Sequence, residues 1–264
     1  MAGTFPGVRV TRGGGGLLVV KFPARWLSLE LDRASDDARA AVRPETLGQV
    51  LERRRDVVAA VDAAMFAVAD GLPYDRSERS RLLYRYLCTR AGINVPSAYP
   101  NRGATLSVNA AGLPFMLEGD AVCDGAVFAH QGYPAMVVDG RNVASRENDT
   151  NATGRAALLV FADGGVGFCV SRTGIRELAS LLLGLRGEWR VTGATYMDGG
   201  GSTALALRGA GGALELGVGL QSRRVPAYVI AVPPLAPVGG ALGGAVGGAL
   251  VLLGVALELA TARA

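Results

Sequence analysis

The sequence predicts an α+β fold with mixed, largely antiparallel sheets, flanking helices and an apolar C-terminal tail. Short β-rich runs divided by Gly and Asp turns fill much of the chain, which is typical of antiparallel pairs. Other segments carry apolar residues at helical spacing. Strands and helices do not alternate in the regular βαβ order of a doubly wound sheet. We expect one domain over residues 1–232 and a separate tail over residues 233–264.

The first predicted elements are strands between residues 8 and 31 and a helix over residues 43–56. The apolar stretches LLVVKF and WLSLEL are bounded by Gly, Pro and Arg, which favours short strands. The helical segment RPETLGQVLERRRD has Pro near its start. Its apolar residues Leu47, Val50 and Leu51 recur at helical spacing.

A buried strand and a second helix are predicted next. The strand lies in VVAAVDAAMF at residues 57–66 and ends at a polar residue, Asp62. The helix is SERSRLLYRYLCTRAG at residues 77–92, with Ser77 as its N-cap and Gly92 as its stop.

The remaining elements are short strands, one more helix and a closing pair of strand-rich segments. Asp-Gly pairs at Asp139 and Asp163 predict turns between antiparallel strands. Residues 173–185 place apolar side chains on one helical face. The segments TGATYMDGGGSTALALRG and RVPAYVIAV then complete the domain as strands.

Charge and cysteine content exclude several classes of function. The chain has 27 basic and 23 acidic residues in interspersed positions, without the Lys/Arg run of a nucleic-acid-binding arm, so we predict no nucleic-acid partner. Cys88, Cys123 and Cys169 lack the spacing of a zinc site or a disulfide scaffold, so we predict buried thiols and no metal site. No cofactor is predicted, and a requirement for a divalent metal stays open.

The tail has the length of a membrane-spanning helix. Residues 238–257 form a 20-residue apolar run after three prolines, and Gly pairs recur every four residues in it. We expect membrane association through this run. The alternative is a flexible Gly/Ala tail, because glycine forms helices poorly in water.

Localisation is predicted to be membrane-associated or extracytoplasmic, although no secretory signal is visible at the N-terminus. The tripeptides NDT at Asn148 and NAT at Asn151 match glycosylation sequons. They would function as such only in a secretory pathway. We interpret them as an Asx-rich turn.

The segment TYMDGGGSTALAL holds the candidate site. Asp198 is followed by Gly199, Gly200 and Gly201, and then by the hydroxyl of Ser202. Three glycines leave backbone N–H groups open to an anion such as phosphate. A carboxylate next to that anion fits catalysis better than phosphate binding. A hairpin turn with a solvated Asp198 is the alternative that spacing alone leaves open.

MDGGGSTALAL resembles the DGGGS signature of the phosphodiester glycosidase family. Further segments resemble the family in the same order, and the likeness covers residues 8 to 232. These segments are VVAAVDAAMFAVADG, AHQGYPAMVVDGR, TGRAALLVFADGGVGF, IRELASLL and SRRVPAYVIAV. The co-occurrence of motifs is more specific than any one of them.

The resemblance implies a glycosidase-type hydrolase that cleaves a sugar-1-phosphodiester, releases the sugar and leaves a phosphomonoester. Asp198 would act as nucleophile or base, and Arg155, with Arg224 as second choice, would offset the charge of the leaving phosphate. The three glycine N–H groups and Ser202 would hold phosphate or sugar oxygens. Gln131 and Asp62 would contact sugar hydroxyls.

One position departs from the family pattern, because Asp62 stands where the family usually carries Asn. A carboxyl that faces phosphate must be protonated, paired with Arg, or used as an acid or base. This leaves a second hypothesis open, namely a carbohydrate- or phosphate-binding module without turnover. A third, a membrane-tethered structural protein, depends on the tail alone. His130, the single histidine, is expected to be a strand-end imidazole rather than a catalytic group.

Overall fold

Antiparallel sheets dominate the computed structural model of the protein. It describes residues 5–33, 42–63, 65–68, 70, 72, 79–145, 154–218 and 223–234. Every strand pairing in these ranges is antiparallel. The described strands form four sheets, and two α-helices accompany them: α1 (Leu47–Arg53) and α2 (Ile175–Gly184).

The largest sheet has seven strands. From edge to edge they are β1 (Arg9–Arg12), β2 (Leu18–Pro23), β17 (Gly165–Ser171), β16 (Arg155–Phe161), β18 (Val191–Tyr196), β14 (Ala135–Val138) and β15 (Arg141–Asn142). The turns predicted at the two Asp-Gly pairs are confirmed. The turn at Asp139 joins β14 to β15, with φ of 49° at Asp139 and 70° at Gly140, and the turn at Asp163 joins β16 to β17.

Two five-stranded sheets and one four-stranded sheet complete the described strands. The first five-stranded sheet runs β10 (Ile93–Val95), β9 (Tyr86–Cys88), β13 (Ala126–Gly132), β11 (Ala104–Asn109) and β12 (Pro114–Glu118). The second runs β20 (Leu214–Val218), β19 (Leu205–Arg208), β6 (Ala59–Asp62), β21 (Tyr228–Ala231) and β3 (Leu27–Glu30). The four-stranded sheet runs β4 (Asp32–Arg33), β5 (Val42–Arg43), β8 (Ser80–Leu82) and β7 (Phe66–Val68).

The seven-stranded sheet is buried on both faces. Along β2, Leu18, Val20 and Phe22 belong to the main core, together with residues of the two five-stranded sheets. Val19 belongs to the second core beneath α2. Successive side chains of a strand point to opposite faces, so an unbroken apolar run such as LLVV fits a strand that is covered twice.

The two helices form where helical spacing predicted them. In α1, Thr46 is the N-cap and forms a capping box with Gln49, which satisfies two of the first N–H groups of the helix. The buried face of α2 packs against β14, β15 and β18. The prediction of helices within residues 43–56 and 173–185 is therefore confirmed.

The helix predicted over residues 77–92 is wrong. The described part of this segment holds β8, β9 and a single 3-10 turn at Thr89–Ala91, which ends at Gly92 with φ of 63°. The buried residues are every second one from Leu82 to Cys88, which is the period of a strand. The protein is accordingly largely β rather than α+β, with antiparallel sheets as predicted. Ser77 lies outside the described residues.

Residues 235–264 of the tail and both sequons lie outside the described residues. The membrane prediction for residues 238–257, the division between residues 1–232 and 233–264, and the turn around Asn148 and Asn151 therefore stay predictions. No helix in the described ranges combines the length and the apolar character that crossing a bilayer requires.

Truncation of Leu178 in α2 should destabilise the fold. This side chain is fully buried against the seven-stranded sheet, so Leu178→Ala should lower the free energy of unfolding by about 2–5 kcal/mol. Glu177→Ala, an exposed change on the same helix, should cost less than about 1 kcal/mol. Urea unfolding of both variants measures the difference, and equal losses would contradict this packing.

Candidate functional site

The predicted glycine turn lies where the seven-stranded sheet meets the second five-stranded sheet. The backbone N–H groups of residues 196, 197 and 198 donate in turn to the carbonyls of Pro134 at 3.1 Å, Ala156 at 2.9 Å and Ala63 at 3.0 Å. The first two acceptors lie directly before β14 and in β16, the strands that flank β18, and the third follows β6 of the other sheet. The backbone at the predicted catalytic aspartate is thus held from three sides.

Two of the three glycines are required by the fold, and the third is open. A Cβ on Gly199 would lie 1.8 Å from the Tyr196 hydroxyl, so no larger residue fits there. Gly200 has φ of 64° and donates its N–H to Gly154 O at 2.8 Å. Gly201 is exposed, and its N–H has no acceptor among the described residues. Of the three glycine N–H groups predicted to bind an anion, only that of Gly201 is therefore available.

Asp198 is the carboxylate that this turn presents. Its Oδ1 accepts the Gly199 N–H at 2.9 Å. Burial raises the pKa of Asp198, and the nearby Ser202 hydroxyl, the Gly199 N–H and the positive charge of Arg223 partly offset the rise. A carboxylate with a raised pKa is a stronger base than a solvated one, which suits activation of water. The solvated hairpin turn does not match this environment.

Asp62 is fully buried next to this turn. Its Oδ1 accepts the Ala204 N–H at 3.0 Å, whereas its Oδ2 has no hydrogen-bond partner among the described residues. Burial raises the pKa of Asp62 well above its usual value, and the negative charge of Asp198 raises it further. Of the three options for this residue, the protonated carboxyl fits best. The one described contact of its oxygens is with a backbone N–H and not with an arginine.

Tyr196 connects Arg155 to the turn. The Arg155 Nη1 donates to the Tyr196 hydroxyl at 3.1 Å, and the guanidinium carbon lies 5.7 Å from the centre of the tyrosine ring. Burial raises the pKa of this phenol, Arg155 opposes the rise, and Asp198 and Asp62 add to it. The predicted cation and both carboxyl groups are therefore close enough to act on one phenol.

Sequence reasoning overlooked Tyr196 and Arg223. Tyr196 stands two residues before Asp198 in the quoted motif, and its position at the end of an apolar strand was the available signal. Arg223 donates its backbone N–H to Gly201 O at 3.2 Å, and its charge lowers the pKa of Asp198. It precedes the predicted Arg224, which is half-buried and whose role stays a prediction.

Two buried hydroxyls follow the glycines. Ser202 Oγ is buried beside the Asp198 carboxylate and makes no well-aligned hydrogen bond to a described residue. Thr203 Oγ1 likewise has no partner in the described ranges. Buried hydroxyls usually have hydrogen-bond partners. Two successive hydroxyls without one, on Ser202 and Thr203, are what a site for a polar ligand would leave.

Gln131 lies on β13, directly before the strand end that contacts Tyr196. Its Nε2 donates to Tyr99 O at 3.0 Å and Arg102 O at 2.6 Å, and its Oε1 accepts the Arg85 N–H at 3.1 Å. Both amide hydrogens are thus engaged by backbone. A contact with sugar hydroxyls stays a prediction, and the carbonyl oxygen is the atom with capacity left for it.

His130 is a buried core residue. Its Nδ1 lies 3.2 Å from Arg85 O, and its ring centre lies 4.4 Å from that of Tyr86. Burial lowers the pKa of His130 to about 3. The imidazole is neutral near pH 7, in agreement with the expectation that it is not an acid or base for the reaction.

A cleft of about 540 Å³ opens beside the glycine turn. It is lined by Arg12, Gly16, Leu18, Gly154, Val170, Ser171, Arg172, Gly200, Thr203 and Val218. Another cleft, of about 340 Å³, includes Lys21 and Asp163, which pair with each other at 2.7 Å, and shares no residue with the turn. Among the described residues, no group of three or more His, Cys, Asp or Glu side chains is arranged to hold a metal.

Comparisons with known proteins identify the family and the fold. The family model described as phosphodiester glycosidase matches residues 55–232. A search of curated proteins found no match. Three solved structures with 12–14% identity are similar to this chain and show the fold alone.

The first is the zebrafish N-acetylglucosamine-1-phosphodiester alpha-N-acetylglucosaminidase catalytic domain, auto-inhibited by its pro-peptide. It has 14% identity and a TM-score of 0.59, over 89% of this chain and 87% of that one. A hypothetical protein from Synechocystis has 14% identity and a TM-score of 0.52, over 86% and 61%. A putative exported protein from Burkholderia pseudomallei has 12% identity and a TM-score of 0.55, over 82% and 74%.

Asp62→Asn should stabilise the protein at neutral and alkaline pH. Because burial raises the pKa of Asp62 in the folded state, the folded chain binds this proton more tightly than the unfolded chain does. The free energy of unfolding should therefore fall as pH rises above about 4, the value in the unfolded chain, and the variant should lack this loss. Urea unfolding at pH 5 and pH 8 measures it. Asp139→Asn, at an exposed turn, is the control, and a variant less stable than wild type at pH 8 would show that Asp62 is a stabilised anion.

The His130 ring should stay neutral down to about pH 4. Its pKa is about 3 in the folded protein, against about 6.5 in an unfolded chain. The free energy of unfolding should consequently fall by up to about 1.4 kcal/mol per pH unit as pH drops from about 6.5 towards 3. Because His130 is the only histidine, its ring resonances in untagged protein can be followed by NMR from pH 8 to pH 4. A titration midpoint near 6.5 would contradict the burial.

Proposed function

The chain belongs to the phosphodiester glycosidase family, and on this premise we propose that it hydrolyses the bond between the anomeric carbon of a sugar and a phosphodiester. The observation that carries the proposal is the Asp198 carboxylate, whose backbone segment is held by hydrogen bonds to three strands or strand ends beside an unpaired glycine N–H and a tyrosine-bound arginine. A carboxylate, an anion-binding amide and a cation are the groups that such a cleavage uses.

The reaction consumes one water molecule. The bond between the anomeric carbon and the phosphate oxygen breaks, and that oxygen leaves with the phosphate as a phosphomonoester. The oxygen of water becomes the anomeric hydroxyl of the free sugar, and its second proton passes to solvent or to the phosphomonoester. Asp198 acts either as the base that takes this proton or as a nucleophile that first forms a glycosyl ester.

The leaving phosphate requires positive potential rather than a strong acid. A phosphomonoester is already a good leaving group, so the absence of a protonated histidine near pH 7 does not hinder the cleavage. Arg155 offsets the developing charge, and the Gly201 N–H and the Ser202 hydroxyl hold phosphate oxygens. Arg224 and its neighbour Arg223 add to the positive potential at the leaving phosphate.

The sugar is assigned to the part of the site that holds the carboxyl groups of Asp62 and Asp198. A protonated Asp62 donates a hydrogen bond as the family Asn would, so the departure from the family pattern is compatible with turnover. Its unpaired Oδ2 supplies the position from which that hydrogen is donated. Gln131 contributes an oxygen acceptor from the neighbouring strand, while Gly199 and Gly200 shape the turn rather than contact the substrate.

Asp198→Asn and Arg155→Ala should abolish or strongly reduce hydrolysis. We expect a loss of about 10²–10⁴-fold for Asp198→Asn, since it removes the base or nucleophile, and about 10²–10³-fold for Arg155→Ala. The assay is release of free sugar from a panel of sugar-1-phosphodiesters by full-length protein. Asp139→Asn and Arg141→Ala, at exposed positions of the β14–β15 hairpin, are matched controls and should keep activity within twofold of wild type (about 0.5 kcal/mol).

The outcome separates the two remaining classes of function. Turnover that is lost in both site variants, with thermal unfolding unchanged, supports the glycosidase. Binding of the substrates by wild-type protein without turnover of any of them would overturn it and leave the binding module. A folded Asp198→Asn protein with full activity would remove Asp198 from the mechanism.

A further inference from the structure

The cleft beside the glycine turn is positively charged. Arg12 and Arg172 are among its lining residues, and no described lining residue is acidic. Neither arginine forms an ion pair within the described part of the chain. Two like charges share one cleft without a counter-charge there, which concentrates anions at its mouth.

The chain brings these two arginines together through its four-glycine run. Residues 13–16 connect β1 to β2, and Gly15 O accepts the Arg172 N–H at 3.2 Å and the Ser171 hydroxyl at 3.0 Å. Gly15 has φ of 63°, and a Cβ there would lie 2.3 Å from Thr173 Cγ2. The run therefore lets the β1–β2 turn lie against the end of β17, with Arg12 and Arg172 on the same cleft.

The cleft is continuous with the proposed catalytic turn. Gly200 and Thr203 line it, and both belong to the segment that begins at Asp198. Thr203 is 8% exposed, and its Oγ1 has no hydrogen-bond partner among the described residues. A Cβ on Gly154 would lie 2.7 Å from this oxygen, so the absence of a side chain there leaves room beside it. A buried hydroxyl without a partner is an independent sign of a polar ligand in the cleft.

Apart from Ser171, whose hydroxyl donates to Gly15 O, the remaining side chains of the lining are apolar. Leu18, Val170 and Val218 come from β2, β17 and β20 and supply carbon surface next to the two guanidinium groups. A ligand that fits this lining combines a short apolar part with an anionic group. Guanidinium groups pair well with phosphate and carboxylate because their planar donors match two oxygens at once.

We propose that this cleft binds the alcohol half of the substrate, and that this alcohol carries a second anionic group, a phosphate or a carboxylate. The inference rests on the proposed function. Of the two halves of a sugar-1-phosphodiester, the sugar is neutral and lies with the carboxyl groups of Asp62 and Asp198. The phosphate-linked alcohol leaves towards the arginines, where Arg12 and Arg172 bind its second charge and the Thr203 hydroxyl holds an oxygen near the reacting phosphate.

Two substrates with the same sugar-1-phosphate test this inference. In one, the phosphate carries a 2-hydroxyethyl ester group. In the other, the terminal hydroxyl of that group is itself phosphorylated, which gives the 2-phosphoethyl ester. Wild-type full-length protein should have the higher kcat/KM for the 2-phosphoethyl ester. Arg12→Ala/Arg172→Ala should raise KM for that ester by about tenfold or more, as expected for the loss of charge-assisted hydrogen bonds, and change KM for the 2-hydroxyethyl ester less than about twofold. Arg141→Ala is the matched control, and Arg12→Lys/Arg172→Lys should restore part of the discrimination.

Binding measured without turnover separates this inference from the proposed function. Calorimetry on folded Asp198→Asn protein compares ethyl phosphate with ethylene glycol bisphosphate. Tighter binding of the bisphosphate that disappears in the Arg12→Ala/Arg172→Ala background supports the cleft, even if no substrate is turned over and the glycosidase proposal fails. Turnover with equal kcat/KM for both esters would overturn the cleft inference and leave the glycosidase intact, as would equal binding of the two probes, or binding of neither.

Discussion

Three successive backbone hydrogen bonds at residues 196–198 are the constraint on which the site depends. They join the end of β18 to Pro134 and Ala156, on the two strands that flank it in the seven-stranded sheet, and to Ala63, which follows β6 of the second five-stranded sheet. A backbone fixed from three directions keeps the carboxylate in place before substrate arrives, and such preorganisation is the main contribution of a rigid fold to catalysis.

The same junction places two carboxyl groups in unlike surroundings. Burial raises the pKa of both Asp62 and Asp198, but only Asp198 has a nearby arginine charge and hydroxyl to offset it. Environments that separate the pKa values of two neighbouring carboxyls assign them different roles, one neutral and one ionised. On the proposed function, Asp62 is the neutral partner and Asp198 the reactive one. The cost is a carboxyl buried with one oxygen unpaired, so the site reduces the stability of the fold at neutral pH.

Sequence reasoning succeeded where the signal was local and failed where burial decided. The DGGGS segment, the Asp-Gly turns and the helices at residues 43–56 and 173–185 could be predicted, because turn chemistry and helical spacing are written in a few adjacent residues. A helix was predicted over residues 77–92 because Ser77 could serve as an N-cap and Gly92 as a stop. The burial of residues 82–88 instead follows the period of two that a strand imposes. Tyr196 and Arg223 were missed because their roles come from contacts across the chain, and no motif of ionisable residues marks them.

Two glycine-rich segments that are distant in sequence, residues 13–16 and 199–201, border the same cleft. Neither segment has side chains, so the backbone can approach its neighbours, and the cleft is left with two arginines and a threonine hydroxyl as donors. Asp62 and Asp198 are the two carboxyl groups at the turn, whereas Arg12 and Arg172 line the cleft. On the proposed function, these unlike charges give the site a direction. A neutral sugar at the carboxyl groups and a charged phosphoryl alcohol at the arginines would then bind in one orientation, with the anomeric carbon at Asp198.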